Sequence, residues 1–455
     1  MTIGTPGSGL SRLRESVLYR WLGMGLLMLL LQVPIGLIAS TIDERRMTRT
    51  SAVSEVTGTW GGPQELLGPI LTVPFVERWV DKDNRSQERI ALRHFLPRAL
   101  SVRGSAAVEV RRRGIFDIPV FVAALRVEGT LVVPDPARFA AGAGDILWQR
   151  ASLAVGIADP KAIRAVSPLS IGGRKLSFEP GPGQAAIASG LSLALPLLEK
   201  PGTALPFSFE LTLGGSGRLS VVPAGDETAV TLSSSWRDPS FDGAWLPVER
   251  RVGPAGFEAT WKVLHLARNF PSSWIAQEVD GARLSASAFG VSLLSPVDTY
   301  RTDERAVKYQ LLFFGLTFLG FALFELLAGL RVHPIQYLLV GLALCLFYLL
   351  LLSLSEQVGF ALAYGIAAGA VTSLVTAYVR SLLSTGRALL MGGLLTSLYG
   401  FLFVLLQIQD YALLVGSLGL FAALAAVMWL TRKIDWYAVQ PSGAAERTQA
   451  GELAG

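Results

Sequence analysis

Ile335 to Leu354 reads IQYLLVGLALCLFYLLLLSL, twenty consecutive residues without a formal charge. At 1.5 Å per residue, such a run makes about 30 Å of helix, the thickness of a bilayer's hydrocarbon core. Four runs of similar character surround it, at roughly 307–330, 358–379, 386–408 and 411–431, with short breaks between them. Short breaks make consecutive helices antiparallel neighbours, so residues 307–431 are expected to form a five-helix transmembrane bundle. A sixth run, Trp21 to Ser40, stands apart near the N-terminus. Arg12, Arg14 and Arg20 precede it as they would in a signal peptide. Leu37 and Ile38, however, stand where cleavage needs small residues, so an uncleaved signal anchor at 21–40 is expected.

The charges between the runs set the orientation. Arg331 and His333 occupy one break, Arg380 and Arg387 flank another, and Arg432-Lys433 follows the last run. The intervening breaks carry Glu356 and Asp410 and no Lys or Arg. Basic connections face the cytoplasm. With six spans, residues 1–20 and the tail 432–455 are therefore both expected inside, and residues 43–305 outside.

That middle stretch has no run of spanning length. Phe209, Leu211 and Leu213 alternate with Ser208, Glu210 and Thr212, the pattern of a strand with one wet face. Val108-Glu109-Val110 and Leu125 to Thr130 behave alike, and Pro180-Gly181-Pro182-Gly183 and Gly214-Gly215-Ser216-Gly217 punctuate them. Many short strands predict a large β-rich antiparallel domain, a β-sandwich or an elongated pair of sheets. Phe257, Trp261, Leu264 and Leu266 fall near a 3.6-residue period, which predicts a helix within 257–279.

Composition narrows the function classes. Charged residues make up 16% of the 455-residue chain, against about a quarter in soluble domains. The net charge of +5 does not imply nucleic acid, because the cations are scattered or sit at the ends of apolar runs. The one dense basic run, Arg111-Arg112-Arg113, is expected at a solvated strand end or against anionic lipid. A lone cysteine, Cys345, cannot form an intramolecular disulfide, and the three histidines have no metal-ligand spacing, so no metal or cofactor is expected.

Several segments resemble the CreD family of bacterial inner-membrane proteins. They begin with Glu44-Arg45, Arg49 and Gly61 to Ile70, and continue through Arg113-Gly114-Ile115-Phe116, Gly217 to Pro223 and Trp236 to Pro247. The match is densest from Asp303 to Tyr309, Leu323-Phe324-Glu325, His333 to Leu342, Phe347-Tyr348 and Ser353 to Glu356, and closes with Leu430 to Tyr437. The resemblance implies a role in cell-envelope integrity, envelope stress response and β-lactam tolerance, and implies no particular reaction. Family members often carry His before the Pro-Ser-Phe of the loop Trp236 to Phe241. Asp238 stands there in this chain, which weakens a catalytic reading of that loop.

Among single residues, Glu325 stands out as a carboxylate inside a spanning run, where an ionised group is costly unless paired or wet. It is read either as a proton or ion site or as a group near the cytoplasmic end reaching the headgroups. His333 is expected to start the next helix beside Pro334, and Glu356 to mark an outer break. Trp236 and the other tryptophans of the domain fit core packing or glycan stacking. Asp226, Glu227, Asp238 and Asp242 offer carboxylates for sugar chemistry but fit turns better. Gly365 and Gly369, with Gly416 and Gly419, are expected to pack helices within the bundle. No catalytic constellation emerges, so the chain is read as a non-enzymatic envelope protein. The lipid bilayer is one partner and a periplasmic protein or cell-wall component another, with a transporter or lipid-handling subunit built around Glu325 as the alternative. The sequence sets no oligomeric state.

Overall fold

The computed structural model describes residues 17–80, 83–139, 143–181, 187–196, 201–293, 299–328, 333–382, 384–408 and 411–432. Arg12, Arg14, Arg331, Asp410, Lys433 and nearly all of the tail lie outside them. The chain divides into two compact units, one of residues Met1–Thr48 with Val297–Gly455 and one of Arg49–Pro296. The second unit lies within the stretch 43–305.

The first unit is helical. Helix α1 runs Val17–Trp60, well past the expected end at Ser40, because no proline and no paired glycine follows Ile42 until Gly61-Gly62. The polar stretch Asp43 to Arg49 carries good helix formers, so the helix continues beyond its apolar part. Next come α2 (Thr299–Lys308), α3 (Gln310–Ala328), α4 (Pro334–Val358), α5 (Phe360–Leu382), α6 (Thr385–Gln407) and α7 (Ala412–Thr431). Among the described residues five helices are long and apolar enough to cross a bilayer: α1, α4, α5, α6 and α7. The bent pair α2–α3, broken at Tyr309 with a 46° bend, makes a sixth if taken as one span. The chain is thus a membrane protein with a helical bundle and a large β-rich unit.

Two local details explain the bundle. Gly359 alone separates α4 from α5 at φ 80°, a conformation L side chains rarely adopt, so the tight break is written as glycine. The glycine pairs behave differently from one another. A methyl at Gly419 would overlap the Phe401 ring of α6, so that glycine lets α6 and α7 close up. A methyl at Gly365 or Gly369 would meet nothing within 4 Å among the described residues, and both glycines line a groove beside α6. The packing role expected of all four thus fails for the α5 pair.

The second unit holds a ten-stranded and a nine-stranded sheet that share one hydrophobic core. Strand β1 (Gln64–Val80) anchors the larger sheet beside β2 (Ser86–Phe95), while the hairpin of β3 (Ala99–Arg113) and β4 (Phe116–Val132) centres the smaller. The alternation read from sequence is the burial pattern found. Phe207, Phe209, Leu211 and Leu213 are buried, and Ser208, Glu210 and Thr212 are not.

Two expectations need correction. The sheets are mixed rather than purely antiparallel: β1 runs parallel to Arg218–Val221, and β3 parallel to Glu227–Ser234. Residues 257–279 are not a helix but a strand, Gly256–Leu264, then a short 3-10 turn and a second strand, Ser273–Ile275. Phe257, Ala259, Trp261 and Val263 are buried at every second position, so the period was two. Leu264 and Leu266, which suggested the helical period, are exposed.

Candidate functional site

The carboxylates singled out in the bundle lie at its two ends. Near the end of α3, Glu325 is 7% exposed and accepts a hydrogen bond from the Tyr337 hydroxyl at 2.9 Å. Tyr337 sits in the first turn of α4, so the pair ties α3 to α4. His333 caps the same end. Its Nδ1 accepts the Ile335 N–H at 3.3 Å, while Gln336 Oε1 accepts the His333 N–H at 3.1 Å. With Pro334 in the first turn, His333 has a complete local task as a cap.

Glu356 lies at the far end of α4, nineteen residues or about 29 Å of helix from Tyr337. Its carboxylate accepts from the Tyr300 hydroxyl at 2.8 Å and stands 3.8 Å from Arg45 Nε. Beside it the Ser355 hydroxyl donates to the buried Asp303 at 2.8 Å, and Glu304 bridges Arg46 at 3.5 Å and Lys308 at 2.7 Å. Three carboxylates and two hydroxyls thus bind α1, α2 and α4 at one level of the bundle. Sequence reading chose Glu356 as a loop marker and passed over Asp303. Its signal was the spacing Asp303-Glu304 against Arg45-Arg46, two acidic and two basic residues on segments far apart in the chain.

Separation along α4 means that Glu325 and Glu356 do not form one site. Glu325→Gln keeps an acceptor for Tyr337, so it is expected to leave thermal unfolding in detergent within about 1 kcal/mol of wild type. Tyr337→Phe strips the buried carboxylate of this donor and should cost about 2 kcal/mol. If Tyr337→Phe melts like wild type, the pair does not hold α3 to α4.

In the β-rich unit, Trp236 and Asp238 share the loop that follows Glu227–Ser234. The Trp236 indole N–H donates to the Asp238 backbone carbonyl at 3.0 Å, and the Trp236 backbone N–H donates to Ser234 Oγ at 3.2 Å. Asp238 therefore shapes the loop through its backbone, and its side chain is exposed. The acidic residues do not converge. Asp226 pairs with Arg268 and Ser272, all outside the strands, whereas Asp242 pairs with Arg218 and Ser292 within the larger sheet. Trp261 and Trp274 are wholly buried, so they pack the core and cannot stack on glycan.

Next to that loop, the strand Glu227–Ser234 ends while β3 continues, leaving a notch of about 620 Å³. Ser105, Ser233, Ser235, Arg251 and Glu258 line it. Hydroxyls, one cation and one carboxylate around an open concavity suit hydrogen-bonding recognition of a polar ligand. No group of three His, Cys, Asp or Glu side chains able to hold a metal occurs among the described residues.

The basic run is also explained. Arg111 lies over the Trp60 ring at 4.5 Å, Arg164 approaches that ring at 4.7 Å, and the Trp60 indole donates to the Phe121 carbonyl at 3.2 Å. Arg112 pairs with Asp117 and Arg113 with Glu55, so the run is neutralised where the hairpin turns. Of its two expected uses, the strand end holds.

Residues 16–437 match the family described as Inner membrane protein CreD. The chain belongs to the CreD family. It is 35% identical over 421 residues to the Inner membrane protein CreD of Escherichia coli strain K12, covering 90% of this chain and 91% of that one. CreD-family membership agrees with the helices of membrane-spanning character. Among solved structures, an M1 zinc metallopeptidase from Deinococcus radiodurans is similar at 10% identity and a TM-score of 0.18, over 37% of this chain and 39% of that one. So low a score carries no argument about fold or activity.

Proposed function

We propose that this chain supports cell-envelope integrity, and with it tolerance of envelope stress and β-lactams, as a non-enzymatic protein. In this reading its β-rich unit lies in the periplasm and binds a protein or cell-wall component there. Both termini are cytoplasmic in this reading, which the alternation of Arg-bearing and acidic breaks supports. The single observation that carries the binding role is the notch at the end of Glu227–Ser234, open to solvent and lined by serines, Arg251 and Glu258. Asp226 and Asp242 argue against hydrolysis, since each is committed to a different arginine, Arg268 and Arg218.

Photo-crosslinking residues placed at Ser235 and at Arg251 of the full chain in intact cells test this reading. A discrete adduct from both positions, absent when the same group replaces the exposed Lys175 on the far side of the sheet order, is the expected result. Adducts no different from those of Lys175 would sink it. The second reading, a transporter or lipid-handling subunit, rests on the Glu325 carboxylate held by Tyr337 inside the bundle. It requires Glu325→Gln to abolish envelope function while leaving the fold unchanged.

A further inference from the structure

Strand β3 outruns its neighbour. Ala99 to Ala106 pair with Glu227 to Ser234, but Ala107 to Arg113 pair only with β4. Among the described residues no backbone hydrogen bond reaches 107–113 from the other side.

Side-chain contacts reveal which groups face that open edge. The hydroxyls of Ser233 and Ser234 donate to the carbonyls of Gly104 and Ala106, so these residues point towards the neighbouring strand. Backbone direction repeats every second residue along a strand, so Val108, Val110 and Arg112 present their N–H and C=O groups to the open edge. The edge has none of the usual blocks. There is no proline in 107–113, and the β3–β4 register runs without a bulge.

The sequence at this edge is complementary to itself. In an antiparallel pair centred on Val110, residue 110 faces its own copy, Glu109 faces Arg111 of the second chain, and Arg111 faces its Glu109. Val108 faces Arg112. Opposite charges directly across a ladder are favourable. Centring on the neighbouring Arg111 would instead place two arginines opposite each other. Glu109 and Arg111 already lie on one face, at 2.8 Å from each other, so the cross-strand pairs would exchange partners without turning either side chain.

We propose that the open edge Ala107–Arg113 is an isologous interface, paired antiparallel with the same segment of a second copy of this chain. The symmetry is that of a two-fold dimer. A strand pair alone buries less than the roughly 1,200 Å² of a standard interface, but two chains held in one membrane meet at a high effective concentration. The register also puts the second copy's turn after Arg113 beside Ala106 and Ala107, at the open side of the serine-lined notch. The dimer does not depend on that notch binding anything.

Val110→Pro is the decisive variant. It removes an N–H from the open edge while leaving the β3–β4 ladder, which uses the alternate residues, intact. The full chain would be crosslinked in native membranes through a photoreactive residue at Val108. A dimer is expected for wild type, falling at least tenfold in Val110→Pro. Glu109→Arg and Arg111→Glu should each weaken it several-fold, and the double variant Glu109→Arg/Arg111→Glu should restore it. The double variant keeps the intrachain pair, so its rescue separates the interface from a folding effect. A chain that stays monomeric, a dimer indifferent to Val110→Pro, or an adduct only with a different protein would each overturn the proposal.

Discussion

Arg268→Met is expected to lower the stability of the β-rich unit by about 4 kcal/mol, the cost of breaking a buried ion pair from one side. The Arg268 side chain is 0% exposed. It donates to the carbonyls of Phe270 at 3.2 Å, Pro223 at 3.0 Å and Gly225 at 2.7 Å, and to Ser272 Oγ at 2.8 Å. Asp226 stands 3.7 Å away and its carboxylate accepts from Ser272 as well. Burial lowers the guanidinium pKa to about 10, with Asp226 opposing the shift, so the group remains charged at neutral pH. Methionine fills similar volume but leaves three carbonyls and a carboxylate without this donor. Arg268→Lys should recover less than half of the loss, because one ammonium cannot reach all four acceptors. The denaturant midpoint of the full chain in detergent, followed by tryptophan fluorescence, measures both. An unchanged midpoint for Arg268→Met would show that solvent replaces these bonds.

The second large effect is acid lability centred on His94. Its side chain is wholly buried, with Nδ1 sharing a hydrogen bond with Thr72 Oγ1 at 2.8 Å and the ring 5.5 Å from Trp274. Among the described residues Nε2 has no hydrogen-bond partner, and neither has the Trp274 indole N–H. Burial pushes the imidazole from 6.5 down to about 4. The folded chain therefore favours neutral His94, and the unfolded chain takes up a proton more readily. Stability from this group is complete above pH 6.5 and falls as pH drops from 6.5 towards 4. At about 1.4 kcal/mol per unit, the window amounts to about 3 kcal/mol, of which about 2 is gone by pH 5. His94→Leu should flatten the dependence of the unfolding midpoint between pH 7 and pH 5, whatever it does to the absolute value. An equal slope in that variant would assign the acid lability to other groups.

These two residues show where sequence reading stops. The spans were legible because lipid imposes one strong rule, long uncharged runs, and the strands because one wet face imposes another. Helix 257–279 was misread because Leu264 and Leu266 are exposed apolar residues that mimic a helical spacing over a short window. The parallel pairings were not legible, since period-two burial is the same whichever way the neighbour runs. Arg268 and His94 gave no local signal at all. Their partners at Pro223, Gly225 and Thr72 lie far off in the chain, and only the fold brings them together. Glu325 was found because a carboxylate in an apolar run is conspicuous, but its donor Tyr337 was hidden in the next run as one more aromatic residue.

The order in which strands meet has a consequence for biosynthesis. Gln64 to Leu66 lie beside Leu219 to Val221, and Ala99 to Ala106 beside Glu227 to Ser234, so both sheets are completed by residues made much later. Such distant pairings close slowly. During elongation these early strands must wait with vacant flanks until the chain has grown past Ser234, and a nascent polypeptide in that condition is a natural client for a holding chaperone.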